Sequence, residues 1–69
     1  MSVKDYLITN GISSYKLSKK STVSEATISQ FINGKRGITL DTACKLADAL
    51  EIPLDEFRKL AEGDGEIES

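Results

Sequence analysis

The sequence predicts an all-α fold: a compact orthogonal bundle of five short helices in one domain. Apolar residues recur at helical spacing along almost the whole chain of 69 residues, and no stretch of any length alternates in the manner of a β-strand. Residues that start or stop helices divide this pattern into short segments. Because the segments are short and closely connected, they are expected to cross one another around a single core, which excludes a long coiled coil.

The first two predicted helices lie before residue 22. Four residues share one face of the first helix: Val3, Tyr6, Leu7 and Asn10. Gly11 can adopt the left-handed conformation that ends this helix. The second helix covers about residues 14–21, and its inward residue is Leu17. Either Ser13 or Ser14 can cap its N-terminus.

The third helix is predicted over about residues 24–33. Ser24 can cap it, because its side chain can accept a hydrogen bond from a backbone N–H that has no partner within the helix. Its apolar positions are Ile28, Phe31 and Ile32. The pair Asn33 and Gly34 is the strongest stop signal in the sequence.

Two more helices complete the predicted bundle. Thr39 can cap the fourth, and Pro53 suits the start of the fifth, where its fixed φ and missing N–H do little harm. The apolar residues of the two helices are Leu40, Ala43, Leu46, Ala47 and Leu50, then Leu54, Phe57, Leu60 and Ala61. We therefore predict a domain over residues 1–62, followed by a flexible acidic tail over residues 63–69.

The composition argues against metal, cofactor and catalytic sites. Cys44 is the only cysteine and there is no histidine, so we expect no disulfide within the chain, no metal and no cofactor. Apolar neighbours indicate that the Cys44 thiol is buried and inert. The run Gly34-Lys35-Arg36-Gly37 lacks the spacing of a phosphate-binding loop. With no paired acids in a pocket either, we expect no enzymatic activity.

Membrane and secretion signals are also missing from the sequence. No segment approaches the roughly 20 apolar residues of a membrane span, and the N-terminus lacks the apolar run of a signal peptide. We therefore expect a cytoplasmic protein with no membrane partner. Nothing in the sequence indicates a small-molecule ligand.

The charges are divided unevenly along the chain. Residues 1–36 carry six basic and two acidic side chains, a balance of +4, whereas residues 37–69 carry three basic and nine acidic ones, a balance of −6. This polarity suggests that one face meets a polyanion while the other keeps the domain in solution. An ordinary solvated surface is the alternative interpretation.

The second and third helices have the pattern of a helix-turn-helix. Leu17, Val23 and the apolar residues of the third helix can bury one side of each helix across a short turn. The outward residues of the third helix are small, polar and almost uncharged: Glu25, Ala26, Thr27, Ser29, Gln30 and Asn33. Such side chains can read base edges in the major groove of DNA. A generic protein-interaction helix is the alternative.

The run SSYKLSKKSTVSEATISQFINGKRGITLDTACKLADALEIPLDEF resembles the Cro and lambda-repressor class of helix-turn-helix domains, often called the XRE family. The resemblance covers roughly residues 3 to 60. It implies a lambda-repressor-like five-helix DNA-binding domain, and family members usually bind palindromic operators as dimers. It also implies that Ser24 to Asn33 is the recognition helix.

The resemblance further assigns DNA-binding positions residue by residue. Those that match places facing bases or nearby phosphates are Glu25, Ala26, Thr27, Ser29 and Gln30. Ser14 matches a phosphate-binding place at the start of the second helix. Asn33 and Lys35 match the loop that grips the DNA backbone on the other side. Ser24 opens the recognition helix.

Two of these assignments remain open between alternatives. Glu25 could accept a hydrogen bond from cytosine N4, or it could be an acid favoured by the dipole in the first turn of its helix. Tyr15, near the phosphate-facing end of the second helix, is either a phosphate donor or a packing residue.

Three departures from the family pattern bear on the fold. Relatives usually have Ala where this chain has Ser18 and Gly where it has Thr22. A threonine with positive φ is uncommon, so we expect a slightly remodelled turn. The acid of the familiar E-N-G becomes Ile32, and the arginine with which it commonly pairs becomes Leu7. We therefore predict that Leu7 and Ile32 are both largely buried and in contact, since an apolar pair avoids the desolvation of a buried ion pair.

These observations together predict a sequence-specific double-stranded DNA-binding protein of bacterial or phage type, a transcriptional regulator that acts as a repressor. Its partner is expected to be a palindromic operator in the nucleoid, bound by a weak homodimer that forms mainly on DNA. The alternative is a protein-interaction or antitoxin-like module that uses the same fold without reading DNA.

Overall fold

The computed structural model describes residues 2–63 and 67–68. Within these residues the chain forms five α-helices, which confirms the predicted architecture. The helices are α1 (Val3–Thr9), α2 (Ser14–Ser21), α3 (Glu25–Ile32), α4 (Leu40–Ala49) and α5 (Leu54–Leu60). A single 3-10 turn, Ala61–Gly63, follows α5, and two short strands, β1 (Ile38–Thr39) and β2 (Ile67–Glu68), pair with each other.

Hydroxyl side chains cap the N-termini of the first four helices. Ser2 accepts a hydrogen bond from the N–H of Asp5, whose carboxylate accepts one from the Ser2 N–H in return. Ser13, rather than Ser14, caps α2 by accepting from the Lys16 N–H at 3.1 Å. The remaining two caps are the predicted ones, Ser24 and Thr39. Pro53 precedes α5 in extended conformation and provides no side-chain cap.

Three helices end in the same Schellman arrangement, in which one residue with positive φ reverses the chain. Gly11 and Gly34 occupy this position after α1 and α3, with φ of 66° and 71°, as their sequence context predicts. After α4 the position belongs to Glu51, whose φ is 59°. A glutamate in this conformation is strained, because its Cβ crowds the neighbouring backbone.

The core gathers side chains from all five helices. The largest fully buried residues are Phe31, Phe57, Leu17, Ile28, Leu46 and Val3. The rings of Phe31 and Phe57 are nearly parallel, 13° between planes with centroids 6.2 Å apart, and join α3 to α5. α4 packs against both α2 and α5. The helices α2 and α3 are therefore both held against α4 and α5, α2 directly by α4 and α3 through the ring contact with α5. No described helix is long and apolar enough to cross a membrane.

Two predicted core positions are less enclosed than expected. Leu7 is buried, as predicted, but Ile32 is only partly buried and packs at the edge of the core. It is the last residue of α3, where the chain turns away. Cys44 is likewise partly exposed rather than buried, because the inward side of α4 belongs to Ala43, Leu46 and Ala47.

The C-terminal residues include a short strand within the predicted tail. β2 pairs in parallel with β1, so that Ile38 lies opposite Ile67 and Thr39 opposite Glu68. Ile67 is partly buried against the core. Ile67 thereby gains a packed environment, while a flexible tail over residues 63–69 stays a prediction. The rest of the predicted tail beyond Gly63 lies outside the described residues.

Candidate nucleic-acid interface

The core holds α2 and α3 in a helix-turn-helix arrangement. Leu17 of α2 and Ile28 and Phe31 of α3 are completely buried, and Val23 of the turn is buried with them. The inward sides of both helices are thereby fixed in one apolar cluster. The outward side of α3 is left free to contact a ligand.

Hydroxyl groups hold the turn between the two helices. Ser18 Oγ donates to the Val23 carbonyl oxygen at 2.6 Å. The buried Ser21 Oγ donates to the Leu17 carbonyl at 2.7 Å and accepts from the Val23 N–H at 3.2 Å. Thr22 has the left-handed conformation, with φ of 64° and ψ of 9°. The expectation of a remodelled turn is therefore wrong: Thr22 adopts the strained conformation itself.

The outward side of α3 carries the residues assigned to base contact. Glu25, Ala26 and Gln30 are exposed, and Thr27 and Ser29 are partly buried. Ser24 and Thr27 are joined twice: Ser24 Oγ accepts from the Thr27 N–H at 3.1 Å and donates to Thr27 Oγ1 at 3.0 Å. This double contact orders the first turn of α3 and sets the orientation of the Thr27 hydroxyl.

The N-terminal end of α2 presents Ser14 and Tyr15. Both belong to the first turn, where backbone N–H groups have no partner within the helix and attract anions. Tyr15 is 58% exposed, and Lys19 Nζ lies 5.3 Å from the centre of its ring. Tyr15 is therefore an exposed residue in contact with Lys19, and a phosphate contact by its hydroxyl stays a prediction.

The C-terminal end of α3 presents Asn33 and Lys35, both exposed. Asn33 Nδ2 donates to the Ser29 carbonyl at 2.7 Å, and the Lys35 N–H donates to the Gln30 carbonyl at 2.8 Å. These bonds hold the loop closely against the end of the helix. Asn33 Oδ1 accepts a hydrogen bond from Lys4 Nζ at 3.2 Å.

Lys4 was not among the sequence-predicted site residues. It lies 29 positions before Asn33, in a helix to which no DNA contact was assigned. In the sequence, only its positive charge could have indicated that Lys4 belongs to a nucleic-acid interface. The packing of the bundle is what brings it to the end of α3.

A helix-turn-helix family model matches residues 3–57 of the chain. The chain belongs to this family, the XRE class of helix-turn-helix domains. Neither the comparison with curated proteins nor that with solved structures gave a significant match. XRE-class domains bind DNA and are typical of transcription regulators rather than of enzymes.

The structure of this XRE-class domain groups its predicted site residues by helix. Along α3, hydrogen bonds connect Ser24 to Thr27, Ser29 to Asn33 and Gln30 to Lys35. Ser14 and Tyr15 stand apart from these residues, on α2. A ligand that engaged both groups would have to span the two helices.

Proposed function

We propose that the domain binds double-stranded DNA sequence-specifically, with α3 in the major groove, and acts as a transcriptional repressor. The observation that carries this proposal is the contrast between the two sides of α3. Its inner side is fully buried at Ile28 and Phe31. Its outer side exposes short neutral polar side chains and a single charge, Glu25. A helix exposed only for solubility is usually rich in lysine and glutamate.

The size of α3 suits the groove. Its eight residues extend about 12 Å, and a helix with its side chains is about 10–12 Å across. The major groove of B-DNA is about 12 Å wide and admits one helix. Gln30 is long enough for a bidentate contact with adenine, and Thr27 and Ser29 can bond to either donors or acceptors on bases. Glu25 accepts from cytosine if it reads a base, or else stabilises the first turn through the helix dipole.

Phosphate contacts are proposed on both sides of the recognition helix. Ser14 and Tyr15 offer hydroxyl groups at the N-terminal end of α2, where backbone N–H groups also favour an anion. Asn33 and Lys35 offer an amide and a cation beyond the C-terminal end of α3. Such contacts fix the register of the protein on DNA without reading its sequence.

We propose that two copies bind a palindromic operator. One recognition helix of this length covers only a few base pairs, so a second copy is needed for useful specificity. The domain is expected to dimerise weakly and mainly on DNA. An operator occupied in its major groove is closed to other proteins, and this exclusion is the simplest route to repression.

Selection of binding sites from a pool of random DNA duplexes tests the proposal. The enriched sites should contain two inverted half-sites with centres about 10–10.5 base pairs apart. Affinity for a selected site should fall steeply from low to moderate salt, because bound phosphates release counterions. Failure to enrich any sequence, together with affinity that does not change with salt, would favour the protein-interaction alternative.

A further inference from the structure

The hydrogen bond from Lys4 to Asn33 joins α1 to the end of the recognition helix. Lys4 Nζ donates to Asn33 Oδ1 at 3.2 Å, while Asn33 Nδ2 donates to the Ser29 carbonyl at 2.7 Å. Both ends of the Asn33 amide are therefore engaged within the protein. The amide is held in one orientation, and it holds the exposed Lys4 ammonium beside α3.

No carboxylate among the described side chains forms an ion pair with Lys4. Among residues 2–63 and Ile67 the only ion pair joins Lys45 to Asp41, with Nζ and Oδ2 3.6 Å apart. Asp5, the acid next to Lys4 in sequence, accepts a hydrogen bond from the Ser2 N–H at the start of α1. A lysine ammonium has three donors. One bond to Asn33 leaves it able to bind an anion.

The position of Lys4 places this free charge where duplex DNA would supply an anion. A helix that fills the major groove has a phosphate backbone along each side. The C-terminal end of α3 is followed by Lys35 and Arg36, both exposed. Lys4 adds a third cation to this end of the helix, and it comes from a different element of the fold.

We propose that Lys4 is a further DNA-binding residue, oriented by Asn33 and donating to a backbone phosphate beside the C-terminal end of α3. The inference rests on the proposed DNA-binding function. It also changes the role of Asn33, whose amide acts here as a positioning group for Lys4. Because Lys4 belongs to α1, both α1 and the recognition helix α3 would contact the same strand of the DNA duplex.

A purely structural role for Lys4 gives different expectations. A cation near the C-terminal end of a helix is favourable because it meets the negative end of the helix dipole. In that case the removal of Lys4 would lower stability and leave the number of phosphate contacts unchanged. The salt dependence of binding distinguishes the two roles, since it counts the phosphates that the protein neutralises.

Lys4→Gln is the informative variant, because glutamine can still donate to Asn33 but carries no charge. Lys45→Ala is the matched control: it removes one positive charge from α4, where Asp41 already pairs with it. Binding of each protein to a short random-sequence DNA duplex would be followed by fluorescence anisotropy over a series of salt concentrations. Thermal unfolding of the same samples would report on stability.

We expect Lys4→Gln to lower the slope of log affinity against log salt by about 0.9, the value for one phosphate on duplex DNA. Its affinity should be about eightfold weaker at ~0.1 M salt, with the difference narrowing as salt rises. Lys4→Arg should keep the slope of the unmodified protein, and Lys45→Ala should also keep it. The thermal midpoints of Lys4→Gln and Lys4→Arg should stay close to that of the unmodified protein.

An unchanged slope for Lys4→Gln would overturn the inference, whatever happens to stability. A slope lowered equally by Lys45→Ala would also overturn it, because the effect would then follow net charge alone. The proposed function fails separately, if the unmodified protein shows no salt-dependent binding. Lys4 is exposed, so these variants are expected to fold.

Discussion

The hydroxyl of Ser18 donates a 2.6 Å hydrogen bond to the carbonyl oxygen of Val23 and so ties α2 to the residue beyond the turn. Between them, Thr22 adopts a left-handed conformation that a residue with a Cβ rarely takes. The chain thus combines a strained residue with an added hydrogen bond in one turn. The bond offers a physical reason why a threonine is tolerated there.

Replacing Ser18 by alanine should lower the free energy of unfolding by about 1 kcal/mol, because the Val23 carbonyl loses its donor in a partly buried setting. Urea denaturation followed by circular dichroism would measure the change. Ser29→Ala is the control: it makes the same change within α3, and the Ser29 hydroxyl has no hydrogen bond to any described residue. Equal effects of the two substitutions would mean that the bond contributes nothing to stability.

Glu51→Gly should raise the free energy of unfolding by about 0.5–1 kcal/mol. Glu51 is exposed and has φ of 59°, and glycine adopts positive φ without the penalty that other residues incur. Gly11 and Gly34 already occupy the equivalent places after α1 and α3. The control is Asp48→Gly, also exposed but within α4, which should lower the free energy by about 0.3 kcal/mol, because aspartate is only slightly better than glycine inside a helix. A loss of stability in Glu51→Gly would show that the glutamate is not strained.

Leu7 and Ile32 should behave as coupled residues in a double-mutant cycle. Leu7→Arg should lower the free energy of unfolding by at least about 3 kcal/mol, because Leu7 is only 2% exposed and an unpaired charge would be buried. Ile32→Glu should have a smaller effect, about 1–2 kcal/mol, since the partly buried Ile32 leaves the carboxylate a route to water.

The double variant Leu7→Arg with Ile32→Glu should recover part of the summed loss, as expected when new partners touch. Chemical denaturation of the four proteins in the cycle would give the coupling free energy. Strictly additive losses would show that the two side chains are not neighbours. Direct contact between Leu7 and Ile32 remains a prediction until then.

Gln30→Ala should weaken preference for the selected DNA site by about 1–3 kcal/mol, the value of one bidentate contact, and leave non-specific affinity nearly intact. Lys35→Ala is the natural comparison, since loss of a phosphate contact should weaken binding to every sequence about equally. Competition binding with selected and scrambled duplexes would separate the two patterns. If Gln30→Ala leaves both affinities unchanged, α3 is docked in another register.

The sequence by itself determined the five helices, the caps of α3 and α4, and the glycine turns after α1 and α3. Ser24 and Gly34 could be assigned from the sequence because a cap or a left-handed turn involves residues only a few positions apart. The apolar spacing likewise identified Leu17, Ile28 and Phe31 as core, since helical periodicity is a local property.

Tertiary structure decided the features that join distant parts of the chain. The contact from Lys4 to Asn33 and the pairing of Ile67 with Ile38 both link residues about 29 positions apart, where no local pattern of residues indicates which pairs will meet. The partial exposure of Ile32 depends on where the other helices end around it. The positive φ of Glu51 follows from the same physics: packing of α4 and α5 imposes a conformation that the residue's own preference opposes.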